Sequence, residues 1–270
     1  MNTAQILGFL HSIQPLYVLS GLVVGTLVGL TGVGGGSLMT PILILLFGIH
    51  PATAVGTDLL YASATKTAGT FVHGYNKNVD WRVVGGLALG SVPMTALTIF
   101  VLSRLNLDSP EMQSLITKVL GAALLFTAIS LFFREPMMRV YNRRVREPNP
   151  RLVRNLTILT GAILGVLVSI SSVGAGAIGV TALILLYPAM PASRIVGSDI
   201  AHAVPLTLVA GIGHWLVLGS INWVVLDSLL VGSLPGIVIG SIIATRVPDV
   251  VVRITLGVTL LLVCARFWLS

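Results

Sequence analysis

Two aspartates stand at matching places inside two long apolar stretches, Asp58 in Gly56-Thr57-Asp58 and Asp199 in Gly197-Ser198-Asp199. A carboxylate within a hydrophobic span is costly, by about 2.5–3.5 kcal/mol on insertion scales, and such residues usually have a function. Proton coupling is the chemistry they offer. The plainer alternative is an acid near a helix start that caps or pairs locally. Lys66 and His202 complete the candidate proton-coupling set. Lys66 is placed to face an anion pathway or to pair with a carboxylate of another helix. His202 follows Asp199 by three residues and so shares its helical face. That spacing allows a metal pair, but nothing supplies further ligands, and neither a metal site nor a cofactor is expected. His73 and His214 fall near helix ends, where a cation is also favoured by the helix dipole.

A second kind of chemistry lies in two glycine knots, Gly32-Val33-Gly34-Gly35-Gly36-Ser37 and Ser172-Val173-Gly174-Ala175-Gly176-Ala177. Each breaks an apolar run and precedes a short helix. Helix N-termini present free N–H groups and a partial positive charge, which favours anions. Two such ends meeting within a membrane would make an anion site. The candidate solute-binding residues are Thr31, Gly34, Gly35, Gly36, Ser37, Thr40 and Thr57 in the first half, and Ser172, Gly174, Ala175, Gly176 and Ser198 in the second. Ser171 is a further hydroxyl. Most contacts are expected on the first knot, which has three contiguous glycines and a serine. The competing reading is close helix packing through small residues, which usually recur every fourth position.

These residues require apolar helices to position them. The 270-residue chain is 55% hydrophobic and only 9% charged, against about 25% charged in soluble domains. It reads as an all-α polytopic membrane protein. Apolar segments fall at Leu16–Thr31, Ser37–Phe47, Thr53–His73, Val83–Leu102, Gln113–Phe133, Leu156–Ser171, Ala177–Tyr187, Ile195–Leu218, Val224–Thr245 and Val250–Leu269. A full span takes about 20 residues. The two segments that follow the knots are too short, and those that precede them are short or borderline. Each pair therefore reads as a broken or re-entrant helical hairpin.

The halves match in order. Val33-Gly34-x-Gly36 corresponds to Val173-Gly174-x-Gly176, Pro51-Ala52 to Pro191-Ala192, and His73 to His214. Asp80-Trp81 then corresponds to Asn222-Trp223, and Ser91-x-Pro93 to Ser233-x-Pro235. The expected organisation is a first transmembrane repeat over 1–133, a basic cytoplasmic linker over 134–154 and a second repeat over 155–270. Each repeat holds a glycine-broken hairpin and three full transmembrane helices.

Orientation follows from the cations. The net charge of +7 would point to nucleic acid in a soluble protein. Here the cations gather between spans, as cytoplasmic loop charge does. Arg134, Arg139, Arg143, Arg144, Arg146, Arg151 and Arg154 mark the linker as cytoplasmic and attractive to anionic lipid. Counting outward with an odd number of crossings per half puts Lys77, Arg82, Arg194, Arg246 and Arg253 on the same side, leaving Arg104 and Arg266 opposite. An even number distributes them less well. The repeats are thus expected to be inverted, with both termini non-cytoplasmic, a recurring design of secondary transporters. The sole cysteine, Cys264, excludes an intramolecular disulfide. Met1 to Gln14 carries no Lys or Arg, so no basic signal-peptide region is expected there.

The sequence resembles the TauE/SafE sulfite exporter family of bacterial membrane proteins. The likeness is carried by Gly29-Leu30-Thr31-Gly32-Val33-Gly34-Gly35-Gly36-Ser37, Pro41, Pro51-x-x-Ala54-Val55-Gly56-Thr57, His73-Gly74, Val79-Asp80-Trp81 and the second copy from Gly165 to Asp199. The resemblance implies transport of small anions such as sulfite or organosulfonates across the inner membrane, usually outward. Asp58 departs from the family pattern, where a small polar residue is commoner, and Ala175 and Ala177 weaken the second knot. The expected partners are a small anionic solute, the lipid bilayer and a second copy of the chain in a homodimer, with no nucleic acid. An anion channel is the first rival. An intramembrane enzyme and a permease subunit rank lower; Ser37 or Ser63 with His73 has no supporting spacing for catalysis.

Overall fold

Proline and short polar residues set most helix starts in this chain. In the computed structural model, Asn149 accepts the Arg151 N–H at 3.0 Å ahead of Pro150, and Asp80 accepts the N–H groups of Arg82 and Val83. Asn222, the counterpart of Asp80, accepts the Val225 N–H at 3.2 Å. Each satisfies a donor that the first helical turn leaves open.

The structure describes residues 13–31, 36–75, 77–141, 149–243 and 249–269. Among them are ten helices and no strand: α1 (Pro15–Thr31), α2 (Gly36–Leu45), α3 (Pro51–Tyr75), α4 (Trp81–Leu102), α5 (Pro110–Tyr141), α6 (Pro150–Ser171), α7 (Ala177–Leu186), α8 (Ala192–Leu216), α9 (Trp223–Ile243) and α10 (Asp249–Leu269). Five are long and apolar enough to cross a membrane: α4, α5 over Pro110–Phe133, α6, α8 and α9 over Trp223–Gly240.

Two expectations are adjusted. The segment before the second knot, read as short at Leu156–Ser171, is a helix of 22 residues from Pro150, long enough to span. Its first turns carry Arg151, Arg154 and Asn155, so hydropathy alone hides them. On the other side of the basic segment, α5 runs on through Arg134 and Arg139 to Tyr141. Helix α3 has 25 residues, a length of roughly 37 Å, but with Asp58, Lys66 and its many threonines it is more polar than those five.

Helix α1 lies along α9, α4 along α6, α3 against α8 and α5 against α10. Exchanging the two halves of the chain maps the first pair onto the second and each of the others onto itself. Glycines make the first two pairs close. A Cβ at Gly25 would lie 2.5 Å from the Ser233 carbonyl oxygen, and one at Gly165 would lie 2.6 Å from that of Ser91. Gly21, Gly232, Gly236 and Gly240 face the partner backbone in the first pair, as Gly90 and Gly161 do in the second. These are four-residue glycine repeats that let two backbones touch. The order of contacts, 21 with 229 and 25 with 233, makes α1 and α9 parallel; 161 with 87 and 165 with 91 does the same for α6 and α4.

Helices α3 and α8 run antiparallel at the centre. The Asn222 N–H, in the turn after α8, donates to Thr57 Oγ1 near the start of α3 at 3.0 Å. The Asp80 N–H, in the turn after α3, donates to Ser198 Oγ near the start of α8 at 2.8 Å. Arg194 adds an ion pair to Asp80 at 3.3 Å.

Candidate functional site

The second knot is described in full and is buried throughout. Helix α6 ends at Ser171; Ser172 takes a left-handed conformation (φ 57°), and its N–H returns to the Val168 carbonyl at 2.8 Å. Gly174 (φ 124°) and Gly176 (φ 137°) then occupy backbone space that residues with a Cβ rarely enter. Helix α7 starts at once, with no side chain capping its first turn. The break is therefore a sharp reversal inside the protein, tolerable at membrane depth because protein surrounds it.

Polar side chains converge on this reversal from three other helices. Lys66, from α3, is buried and donates from Nζ to the Ala175 carbonyl oxygen at 3.0 Å. Asp58, eight residues before it on α3, accepts a hydrogen bond from Thr40 Oγ1 of α2 through its Oδ2. Ser172 is close enough to interact with the Asp58 carboxylate, although neither Asp58 Oδ1 nor the Ser172 hydroxyl has a hydrogen bond of good geometry. Asp199 of α8 lies against α7, with Oδ1 so near Gly179 that a Cβ there would overlap it; that oxygen too has no hydrogen bond. The Lys66 ammonium interacts electrostatically with Asp58, Asp199 and His202. Neither carboxylate is in ion-pair contact with it. His202 Nε2 bonds Ser91 Oγ of α4 at 2.9 Å, while Nδ1 is buried with no hydrogen bond.

The structure thus brings together Thr40, Asp58, Lys66, Ser172, Ala175, Asp199 and His202. It does not bring Thr57 and Ser198 to them as free hydroxyls: both accept backbone N–H groups of the opposite half. Ser37 is half-buried at the start of α2. Gly34 and Gly35 lie outside the described residues, as do the side chains at Thr31, Gly36 and His73. Among the described residues no group of three or more His, Cys, Asp or Glu is placed to hold a metal ion.

Two further residues belong to the site's surroundings. Ser91 holds His202, and the repeated Ser91-x-Pro93 and Ser233-x-Pro235 already marked that position. Tyr61 is fully buried with an unbonded hydroxyl next to Ser233. It follows Asp58 by three residues, as His202 follows Asp199. That shared offset was the signal for it.

His214 is structural. Its Nε2 donates to the Ser169 carbonyl at 2.9 Å and Nδ1 bonds Ser220 Oγ at 2.9 Å, fixing the end of α8 to α6. Trp81 and Trp223 are exposed at the starts of α4 and α9, where membrane-interface anchors sit.

Among the described residues, ten helices, five of them long and apolar enough to cross a membrane, surround a buried cluster of ionisable side chains at a helix break. The family model for the sulfite exporter TauE/SafE matches residues 17–267. The chain belongs to the TauE/SafE family. It is a multi-pass membrane transporter protein. Its relatives include the probable membrane transporter protein YjnA of Bacillus subtilis, 42% identical over 218 residues, covering 79% of this chain and 83% of that protein. YdhB of the same organism, also a probable membrane transporter protein, is 27% identical over 249 residues, covering 90% and 96%. A probable membrane transporter protein of Methanocaldococcus jannaschii is 27% identical over 216 residues, covering 78% and 75%. No solved structure matches this TauE/SafE chain significantly.

Proposed function

We propose that this TauE/SafE-family transporter carries a small oxyanion of the sulfite or organosulfonate class outward across the bacterial inner membrane, coupled to protons. The observation that carries the reading is the buried Lys66 ammonium, bonded to the carbonyl of a helix break and within the electrostatic reach of two carboxylates. Near it, the uncapped start of α7 adds the partial positive charge of a helix N-terminus. An anion entering there meets a fixed cation and two acids. A proton taken up by Asp58 or Asp199 removes a negative charge from its neighbourhood, so anion and proton binding favour one another, reciprocally. The first knot, with Thr31, Gly34, Gly35, Gly36 and Ser37, is the other wall of the proposed site.

The inverted-repeat design is part of the same reading. Antiparallel α3 and α8, which are counterparts in the two halves, support it. So does the clustering of Arg194 with Asp80, since it gathers Lys77, Arg82 and Arg194 at one end of the bundle. In this arrangement both termini are non-cytoplasmic and the basic segment around 134–154 faces anionic lipid in the cytoplasm. A homodimer is consistent with it.

The decisive experiment is a thermal-shift screen of the purified protein against sulfite, organosulfonates, thiosulfate and carboxylates. A ligand that binds only the folded state raises apparent stability by RT ln(1 + [L]/Kd). A saturable rise with one oxyanion class identifies the solute; no rise with any of them removes the anion reading.

A further inference from the structure

A neutral imidazole carries its N–H on one nitrogen only, and Ser91 fixes which nitrogen that is in His202. Ser91 Oγ and His202 Nε2 lie 2.9 Å apart, and both residues are fully buried. Other buried hydroxyls nearby, those of Ser169, Ser198 and Thr207, donate to the carbonyl four residues back on their own helix. Among the described residues Ser91 donates to no carbonyl; its hydroxyl meets the ring instead. Were the proton on Nε2, the Ser91 hydrogen would lack an acceptor and Nδ1 would lack a donor, two buried losses. With Ser91 donating to Nε2, the ring proton sits on Nδ1 and one group is left over. That group is an N–H, buried and without a hydrogen-bond partner.

Lys66 has a similar surplus. An ammonium offers three N–H donors, and among the described residues Nζ donates to the Ala175 carbonyl alone. Its charge also reaches the His202 ring. Spare donors within the field of a cation suit a guest that brings acceptors and negative charge, as an oxyanion does.

We infer that His202 is a solute ligand: its Nδ1–H donates to an oxygen of the transported oxyanion, and Ser91 is the positioning residue that keeps the proton there. The inference rests on the chain being an oxyanion transporter, and it makes His202 a hydrogen-bond donor rather than a proton carrier. The unbonded Oδ1 atoms of Asp58 and Asp199 are acceptors when ionised and serve the same guest only once protonated. The counterpart pair in the first half is Tyr61 with Ser233, and there the serine donates to the Leu230 carbonyl of its own helix at 3.5 Å. The bond that sets a tautomer thus belongs to the second half alone.

Asparagine and glutamine separate the two ring nitrogens, because an asparagine amide N–H falls near Nδ1 and a glutamine amide reaches towards Nε2. In thermal-shift titrations of the purified full chain with sulfite, His202→Asn should bind within about threefold of wild type. His202→Gln keeps a partner for Ser91 and should lose about tenfold or more, the weight of a hydrogen bond to a charged group. Glutamine binding as well as wild type, or asparagine binding worse than glutamine, makes His202 structural and overturns the inference while the anion reading stands. No rise in the wild type with sulfite or an organosulfonate overturns both. The proton itself is read without solute by nitrogen NMR of histidine-labelled protein. The His202 signal, identified by its loss in His202→Asn, should show a protonated Nδ1, and Ser91→Ala should move that proton to Nε2. A wild-type ring protonated on Nε2 refutes the inference. If neither His202 variant folds, Ser91→Ala takes their place: it should shift the His202 signal and weaken sulfite binding about threefold or more, and unchanged binding overturns the inference.

Discussion

Ser198 and Asp80 lie in different halves of the chain, and the hydroxyl of one accepts the backbone N–H of the other at 2.8 Å. Thr57 does the same for Asn222 at 3.0 Å. The two bonds exchange when the halves are exchanged, and each pins the turn that follows one central helix to the start of the other.

Ser198→Ala and Thr57→Ala should each destabilise the protein by about 1–2 kcal/mol, the cost of leaving a partly buried N–H unpaired. Chemical unfolding in detergent measures it. Solute affinity in the same preparations should stay near wild type; a loss of binding with stability unchanged would return these hydroxyls to the solute site.

Gly165→Ala should cost about 1–3 kcal/mol, because its methyl group would meet the Ser91 carbonyl and force α6 and α4 apart. Gly85→Ala, on the exposed side of α4 with no neighbour within 4 Å, should be neutral or should stabilise by up to about 1 kcal/mol through helix propensity. Thermal unfolding of the pair separates packing glycines from incidental ones. Equal effects would contradict the close approach.

If Asp58 or Asp199 carries the coupling proton, apparent affinity for the anion should rise as pH falls, by up to about tenfold per unit for one linked proton. Asp58→Asn or Asp199→Asn should flatten that dependence, whichever residue carries the proton. Flux in proteoliposomes against external pH is the measurement, and a slope preserved in both variants eliminates proton coupling through either residue.

Ser172→Gly should separate stability from binding. Ser172 holds a left-handed backbone that costs a residue with a Cβ about 1 kcal/mol or more, so glycine should raise the unfolding temperature. The same change removes the unbonded hydroxyl beside Asp58. Affinity should fall about fivefold, the weight of one hydrogen bond near 1 kcal/mol. Isothermal titration with the identified solute checks it; unchanged affinity places Ser172 outside the site.

The helices were readable because apolar length is a one-dimensional signal, and so were the matched halves. The cost of burying Asp58, Lys66 and Asp199 is legible as well, since a charge in an apolar run stands out by its type alone. Their meeting place is not. Lys66 bonds a main-chain carbonyl 109 residues away, and every residue has a carbonyl, so no side-chain type marks the acceptor. Thr57 and Ser198 illustrate a different loss. Their repetition at matching positions signalled importance correctly, yet the same repetition serves a pair of reciprocal ties as well as a solute site. The glycines of α1, α4, α6 and α9 are hard to single out in the sequence, because single glycines four residues apart scarcely interrupt an apolar run.

The glycine-seamed pairs also set a timetable for synthesis. The start of α1 meets α9 across 214 residues of chain, whereas α4 meets α6 across about 70. At roughly 5–20 residues per second, α1 spends roughly 10–40 s in the bilayer before its partner has been made. During that interval its glycine face is turned to lipid or to whatever insertion factor shields it. The seam between α4 and α6 closes several times sooner. The transporter is therefore assembled from its middle outward, and its first helix is among the last to find its place.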